Sequence, residues 1–275
     1  MPLFQDARTL NNDRKGVPYM KRALILLYGL ASYVVFFAVF LYAIGFIGDF
    51  GVPKTLDSPR EVPFGTALAI NLGLLALFAL QHSVMARPAF KRWWTRVVPE
   101  PAERSTYVLF SSLAMVALYL YWQPMGGVIW RITAPAGVIA MYGIYALGYA
   151  LLLYSTFLIN HIDLFGLRQV WLQAVGRPYT HLAFKTPWLY QQVRHPLYVG
   201  WLMIFWATPV MTVAHLVFAV MTTAYILVAI RFEEHDLIDA HPEYADYRQQ
   251  VPMLLPFGRR GETFSQPAGN PRPLR

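Results

Sequence analysis

Two short clusters of ionisable residues, separated by a long stretch that has none, carry the chemistry of this chain. The first is Tyr190-Gln191-Gln192-Val193-Arg194-His195-Pro196-Leu197-Tyr198-Val199-Gly200. The second opens at Arg231-Phe232-Glu233-Glu234 and continues through Tyr244, Tyr247 and Arg248. Between them, the 34 residues from Leu197 to Ile230 include no Asp, Glu, Lys or Arg. One continuous helix of that length would measure about 51 Å, well beyond a hydrocarbon core of ~30 Å. Thr208-Pro209 lies near its midpoint, and proline inside a helix removes a donor and breaks it. The stretch is therefore predicted to enter the membrane and return as a tight helical hairpin. Its polar ends then meet on one side, with Arg194 and His195 beside Glu233, Glu234, Tyr244, Tyr247 and Arg248. Guanidinium, imidazole, carboxylate and phenol groups gathered in this way form a site.

Two other places offer an imidazole for proton transfer. His82 follows Gln81 near the end of one apolar run, and Asn160-His161-Ile162-Asp163 follows another. Histidine can accept a proton from a reacting group, and Asp163 could orient the His161 imidazole and favour its charged form. A plainer reading competes, because a polar residue in a span also serves as a helix–helix hydrogen bond. His215 is expected at the far tip of the hairpin as a turn residue, and His181, His235 and His241 as surface or cap residues. No H-E-x-x-H or comparable spacing points to a metal site.

The elements that must position these groups follow from composition. Of 275 residues, 56% are hydrophobic and 14% charged, against about 25% charged in soluble domains. The predicted fold is an all-α, polytopic integral-membrane bundle of about six membrane segments, since only helices or closed barrels satisfy their backbone in lipid. Absence of cysteine excludes disulfides, a thiolate nucleophile and Cys-ligated metal. Residues 1–22 form a polar N-terminal segment. Ala23–Gly48, Phe64–Met85, Tyr107–Trp122 and Pro135–Ile159 are predicted spans within a membrane region covering 23–189. Between the second and third lies a basic, Trp-bearing loop over 86–106. A module over 190–257 contains the hairpin, and 258–275 is a Pro/Gly-rich tail expected to be mobile. The N-terminus and alternate connections hold 20 Lys/Arg and the others 3. Basic connections stay inside, so both termini and the site are predicted to be cytoplasmic. The net charge of +8 is then explained by anionic lipid headgroups and needs no nucleic-acid partner.

R-H-P-x-Y-x-G from Arg194, the apolar hairpin, Glu233-Glu234, and Y-x-x-Y-R-x-x-V-P from Tyr244 resemble the C-terminal cofactor module of the isoprenylcysteine carboxyl methyltransferase superfamily. Those membrane enzymes use S-adenosylmethionine. Q-H-S-V-M-A-R-P from Gln81, P-A-E-R-S-T-Y from Pro101 and N-H-I-D-L-F-G-L-R-Q-V from Asn160 are similar to the bacterial methanethiol S-methyltransferases and their NnrU-like relatives. The resemblance implies a bacterial inner-membrane methyltransferase forming dimethyl sulfide and S-adenosylhomocysteine. It places Arg194, His195, Pro196, Tyr198, Gly200, Glu233 and Glu234 at the cofactor, with Arg248 near the reacting groups.

The ligand's chemistry fits these residue types. Acidic groups suit its ammonium and ribose, and Arg194, His195 and Arg248 suit its carboxylate. Tyr190, Tyr198, Tyr244 and Tyr247 offer surface to the adenine ring. A small thiol reacts as thiolate, so His82 or the pair His161/Asp163 is the expected base. Alternatives are another lipophilic thiol, amine or carboxylate as acceptor, or a non-catalytic membrane accessory protein. Which glutamate meets the ammonium, and the oligomeric state, stay open at this level.

Overall fold

The protein is described by a computed structural model covering residues 18–180, 182 and 184–256. Most of the N-terminal segment, His181, Phe257 and the tail over 258–275 lie outside the described residues. Proline sets where the helices begin. Pro88, Pro101, Pro135 and Pro196 stand in the first turns of α3 (Pro88–Trp94), α4 (Glu100–Tyr121), α5 (Pro135–Ile159) and α8 (Pro196–Trp206). A first-turn proline leaves no donor unpaired, and its φ is already helical. Pro18 and Pro63 immediately precede α1 (Tyr19–Gly48) and α2 (Phe64–Ala86). Two short helices, α6 (His161–Leu164) and α7 (Leu167–Ala174), follow α5, and α9 (Val213–Ala240) and α10 (Tyr244–Gln250) close the chain.

Among the described residues, α1, α2, α5 and α9 are long and apolar enough to cross a membrane. Their outward positions, such as Leu24, Leu27, Val34 and Phe37 of α1, are exposed, the surface that lipid rather than water would cover. The helix at the third predicted span, α4, is not among these four and departs from its predicted start. The stretch read as a loop over 86–106 is largely helical, and α4 begins at Glu100, two turns before the uncharged run. Pro101 together with Glu100 and Glu103 in the first turn explains this, since carboxylates complement the positive end of a helix dipole.

The predicted hairpin is present, with unequal arms. Helix α8 has 11 residues, about 16 Å of rise and half a hydrocarbon core. The chain then runs extended through β2 (Val210–Thr212), which pairs antiparallel with β1 (Val128–Arg131), and α9 returns with 28 residues. This ribbon was not legible in the sequence. It gives the broken helix partners inside the protein: Pro209 O accepts from Ile132 N at 2.8 Å. Non-helical backbone at membrane depth requires such internal pairing.

His215 stands at the hairpin bend as expected, but inside a helix rather than in a turn. It is fully buried in the first turn of α9, its Nδ1 3.1 Å from Asp57 Oδ2 and its Nε2 3.0 Å from Phe205 O. The Thr212 hydroxyl also donates to Asp57. The connection after α1 is thereby clasped to the hairpin bend. Nearby, the buried Asn71 amide bonds the backbone of Gln123 at both its N–H (2.8 Å) and C=O (2.7 Å), fixing the exit from α4. Trp122, Phe46, Leu118, Ile204 and Ile230 fill the core between these helices.

Helices α5 and α8 meet backbone to backbone. A Cβ on Gly200 would lie 2.8 Å from Gly148 O and 2.9 Å from Leu152 N, and one on Gly148 would lie 2.9 Å from Gly200 O. Gly200, which the resemblance placed at the cofactor, is therefore where a neighbouring helix approaches closely. This contact fixes the depth at which α8, and the residues before it, begin.

Candidate active site

Arg194 and His195 follow a 3₁₀ turn at Trp188–Gln191 and lead directly into α8. Their backbone amides donate to Pro252 O (2.9 Å) and Met253 O (3.2 Å), which lays the chain after α10 alongside them. The Tyr247 hydroxyl donates to Tyr190 O. The last turns of α9 enter this corner and deliver the two glutamates.

Glu234 is the hub. Its Oε1 accepts from Arg194 Nε at 2.7 Å, His195 Nε2 at 3.1 Å and Tyr244 OH at 3.5 Å, and its Oε2 lies 3.1 Å from Arg248 Nε. Arg194 also donates to the carbonyls of Arg248 (2.8 Å) and Val251. The Glu234 side chain is 5% exposed, whereas that of Arg248 is 52% exposed. Arg248 thus anchors at one nitrogen and presents the rest of its fork outward. Glu233 makes one hydrogen bond among the described residues, from Tyr198 OH at 2.8 Å. Tyr190 lies over Ser155 O. Burial pushes the phenols of Tyr190, Tyr244 and Tyr247 well above the ordinary tyrosine range, so they serve as donors.

Pro196 starts α8 beneath this cluster, and Gly200 faces α5 rather than the cluster. The forty-residue convergence read from the sequence is present. What sequence reasoning missed is the division of labour between adjacent glutamates, one saturated and one not.

His82 occupies a polar nook between α2 and α4. Its Nε2 is 2.7 Å from Tyr107 OH and its Nδ1 3.2 Å from Ser111 Oγ. Phe78 stacks on the ring at 5.2 Å, and Tyr225, bonded to Ser83 Oγ at 3.0 Å, approaches it edge-on.

His161 is a different case. Its Nε2 is bound to Tyr33 OH at 2.8 Å and its Nδ1 to Thr156 Oγ1 at 2.9 Å, with Phe157 stacked at 4.4 Å. Asp163 does not orient it. That carboxylate takes Arg168 Nη1 at 3.0 Å and Tyr179 OH at 3.3 Å. In a helical turn, residues two apart do not face each other, which explains the miss. Burial lowers the affinity of His161 for a proton.

A groove of about 630 Å³ lies elsewhere, lined by Ile44, Phe50, Tyr142, Tyr145, Ala146 and Tyr149. It has no carboxylate, guanidinium or imidazole in its lining, so the convergent polar cluster, not the groove, is the candidate site.

Fold and site together define a multi-pass membrane protein that holds a carboxylate–guanidinium–imidazole centre at one end of its helical bundle. Over 255 residues the chain is 56% identical to the methanethiol S-methyltransferase of Crocosphaera subtropica, covering 92% of this chain and 98% of that protein. Over 242 residues it is 54% identical to the methanethiol S-methyltransferase of Mycobacterium tuberculosis, covering 88% and 99%. Nurim of Xenopus laevis is 31% identical over 212 residues, covering 74% and 72%. No family model and no solved structure matches. The chain belongs to the methanethiol S-methyltransferase family and is a methyltransferase.

Proposed function

We propose that the protein transfers the methyl group of S-adenosylmethionine to methanethiol, forming dimethyl sulfide and S-adenosylhomocysteine. It would do so in the bacterial cytoplasmic membrane, with both termini and the site on the cytoplasmic side. The observation that carries this reading is the convergence of Arg194, His195, Tyr244 and Arg248 on Glu234 in a chain of this family. The bound cofactor would supply an electrophilic methyl on a sulfonium.

The residues present fit that ligand. Glu234 is already saturated, so it organises the cations, and Glu233 is the carboxylate left to take an ammonium or ribose hydroxyls. Arg248, half exposed, can fork onto a carboxylate. Tyr190 and Tyr198, both part-exposed, offer ring surface; Tyr244 and Tyr247, expected to do so, are buried against Phe184 and Val251 instead. Of the expected bases, we favour His82 over the His161/Asp163 pair, because Asp163 is committed to Arg168, whereas His82 bonds Tyr107, which lies within electrostatic reach of Glu233.

The test is headspace gas chromatography of purified protein with S-adenosylmethionine and methanethiol. Dimethyl sulfide above a heat-killed control is expected. No excess over that control would end the thiol assignment, and calorimetry showing no S-adenosylhomocysteine binding would favour a non-catalytic accessory role.

A further inference from the structure

The acceptor side of the site can be drawn more closely than the choice of a histidine. Both His82 nitrogens already touch hydroxyls of α4, and Phe78 covers one ring face. A small thiol therefore cannot reach the imidazole directly. The Tyr107 hydroxyl, which gives its hydrogen to His82 Nε2 at 2.7 Å, keeps its oxygen lone pairs to accept the hydrogen of a thiol. The Arg104 guanidinium stands 5.4 Å from the centre of the Tyr107 ring.

Three phenols from three helices bound this place: Tyr107 of α4, Tyr198 of α8 and Tyr225 of α9. Tyr107 and Tyr198 each lie within electrostatic reach of Tyr225 and of Glu233. Tyr198 reaches the Glu233 carboxylate itself at 2.8 Å. The nook thus adjoins the Glu233 carboxylate of the cofactor side, whose partner among the described residues is Tyr198. The charged groups facing it are Arg104 and Glu233, with Arg87 at the end of α2 and Lys91 of α3 beside Arg104.

We infer that Tyr107, backed by His82, accepts the proton of the thiol in a pocket bounded by Tyr198 and Tyr225. This rests on the thiol-methylation reading above. Ser111 holds the Nδ1 hydrogen of His82, which leaves Nε2 as the acceptor. The S–H bond breaks as its proton passes to the Tyr107 oxygen, and the proton of Tyr107 moves to His82 Nε2. The sulfur lone pair forms the bond to the methyl carbon, and the electron pair of the broken carbon–sulfur bond stays with the sulfonium sulfur. The imidazolium then returns its proton to water.

Two measurements test this on purified wild type, Tyr107→Phe and His82→Gln, each first shown to bind S-adenosylhomocysteine as wild type does. The first reads the S–H stretch of ethanethiol bound to the S-adenosylhomocysteine complex as pH is raised. In wild type the band should vanish at a lower pH than for free thiol, and in both variants it should persist up to the free-thiol value. The second reads kcat/KM against pH. Both variants should lose about 100-fold or more near neutrality, and the loss should shrink with trifluoroethanethiol, an acidic thiol that ionises unaided. A wild-type band that tracks free thiol, or a Tyr107→Phe defect equal for both thiols, overturns the inference while leaving thiol methylation intact. Absence of dimethyl sulfide in wild type overturns both.

Discussion

Arg194 and Glu234 meet at 2.7 Å, although forty residues and a membrane hairpin separate them. Both side chains are nearly buried, at 9% and 5% exposure. The pair joins the entry of α8 to the exit of α9, and His195, Tyr244 and Arg248 share the same carboxylate. The hairpin is thereby closed at its polar end, as the Asp57–His215 clasp closes it at its bend.

Adjacent glutamates should therefore fail in different ways. Glu234→Ala leaves the buried Arg194 guanidinium without its counter-charge, a change that costs about 3–5 kcal/mol where it has been measured. It should lower the melting temperature and weaken S-adenosylhomocysteine binding together. Glu233→Gln should leave the melt unchanged and weaken binding at least tenfold in calorimetry. A wild-type melt for Glu234→Ala, or wild-type affinity for Glu233→Gln, would refute this division.

Gly200→Ala should damage the protein from a distance. Its new methyl would sit 2.8 Å from Gly148 O, and backbone cannot step aside as a flexible side chain can. Separation of α5 from α8 should lower the melting temperature by several degrees. It should also weaken cofactor binding, because Arg194 and His195 precede α8 directly. A Gly200→Ala protein with unaltered melt and affinity would show that the interface tolerates expansion.

Stability should fall in mild acid through His161. Burial among Tyr33, Phe157 and Phe165 depresses its folded-state proton affinity below the ordinary 6.5. The unfolded chain then binds the proton more readily. The stabilisation is complete above 6.5 and is lost as pH falls below it, toward the depressed folded value. Melting temperatures at pH 8 and pH 5 should differ more for wild type than for His161→Gln. Equal differences would remove His161 as the source.

Reporter fusions should map two sides. Fusions after Arg96, Gly176 and Gly258 should read cytoplasmic, and a fusion after Gly126 periplasmic. A periplasmic signal after Gly258 would mean that the hairpin crosses only once. Such a crossing would contradict the Arg194–Glu234 contact.

The sequence by itself determined the membrane-spanning character, the start of α5 at Pro135, the hairpin with its break near Pro209, and the meeting of Arg194 and His195 with Glu234. These follow from local properties: runs without charge, proline where a helix must start or stop, and a length too great for one crossing. Other features depended on partners far away in the chain. Tyr33 lies 128 residues from His161, whose Nε2 it occupies, and Asp57 lies 158 residues from His215. Neighbours in sequence, Asp163 beside His161 and Glu233 beside Glu234, suggested pairings that helix geometry does not permit or left equivalent what burial makes unequal. Side chains two apart in a helical turn point in different directions, so only the packing of other elements decided which polar groups they met. The same holds for the β1–β2 ribbon, because an unpaired backbone at membrane depth takes whatever partner the tertiary fold brings to it.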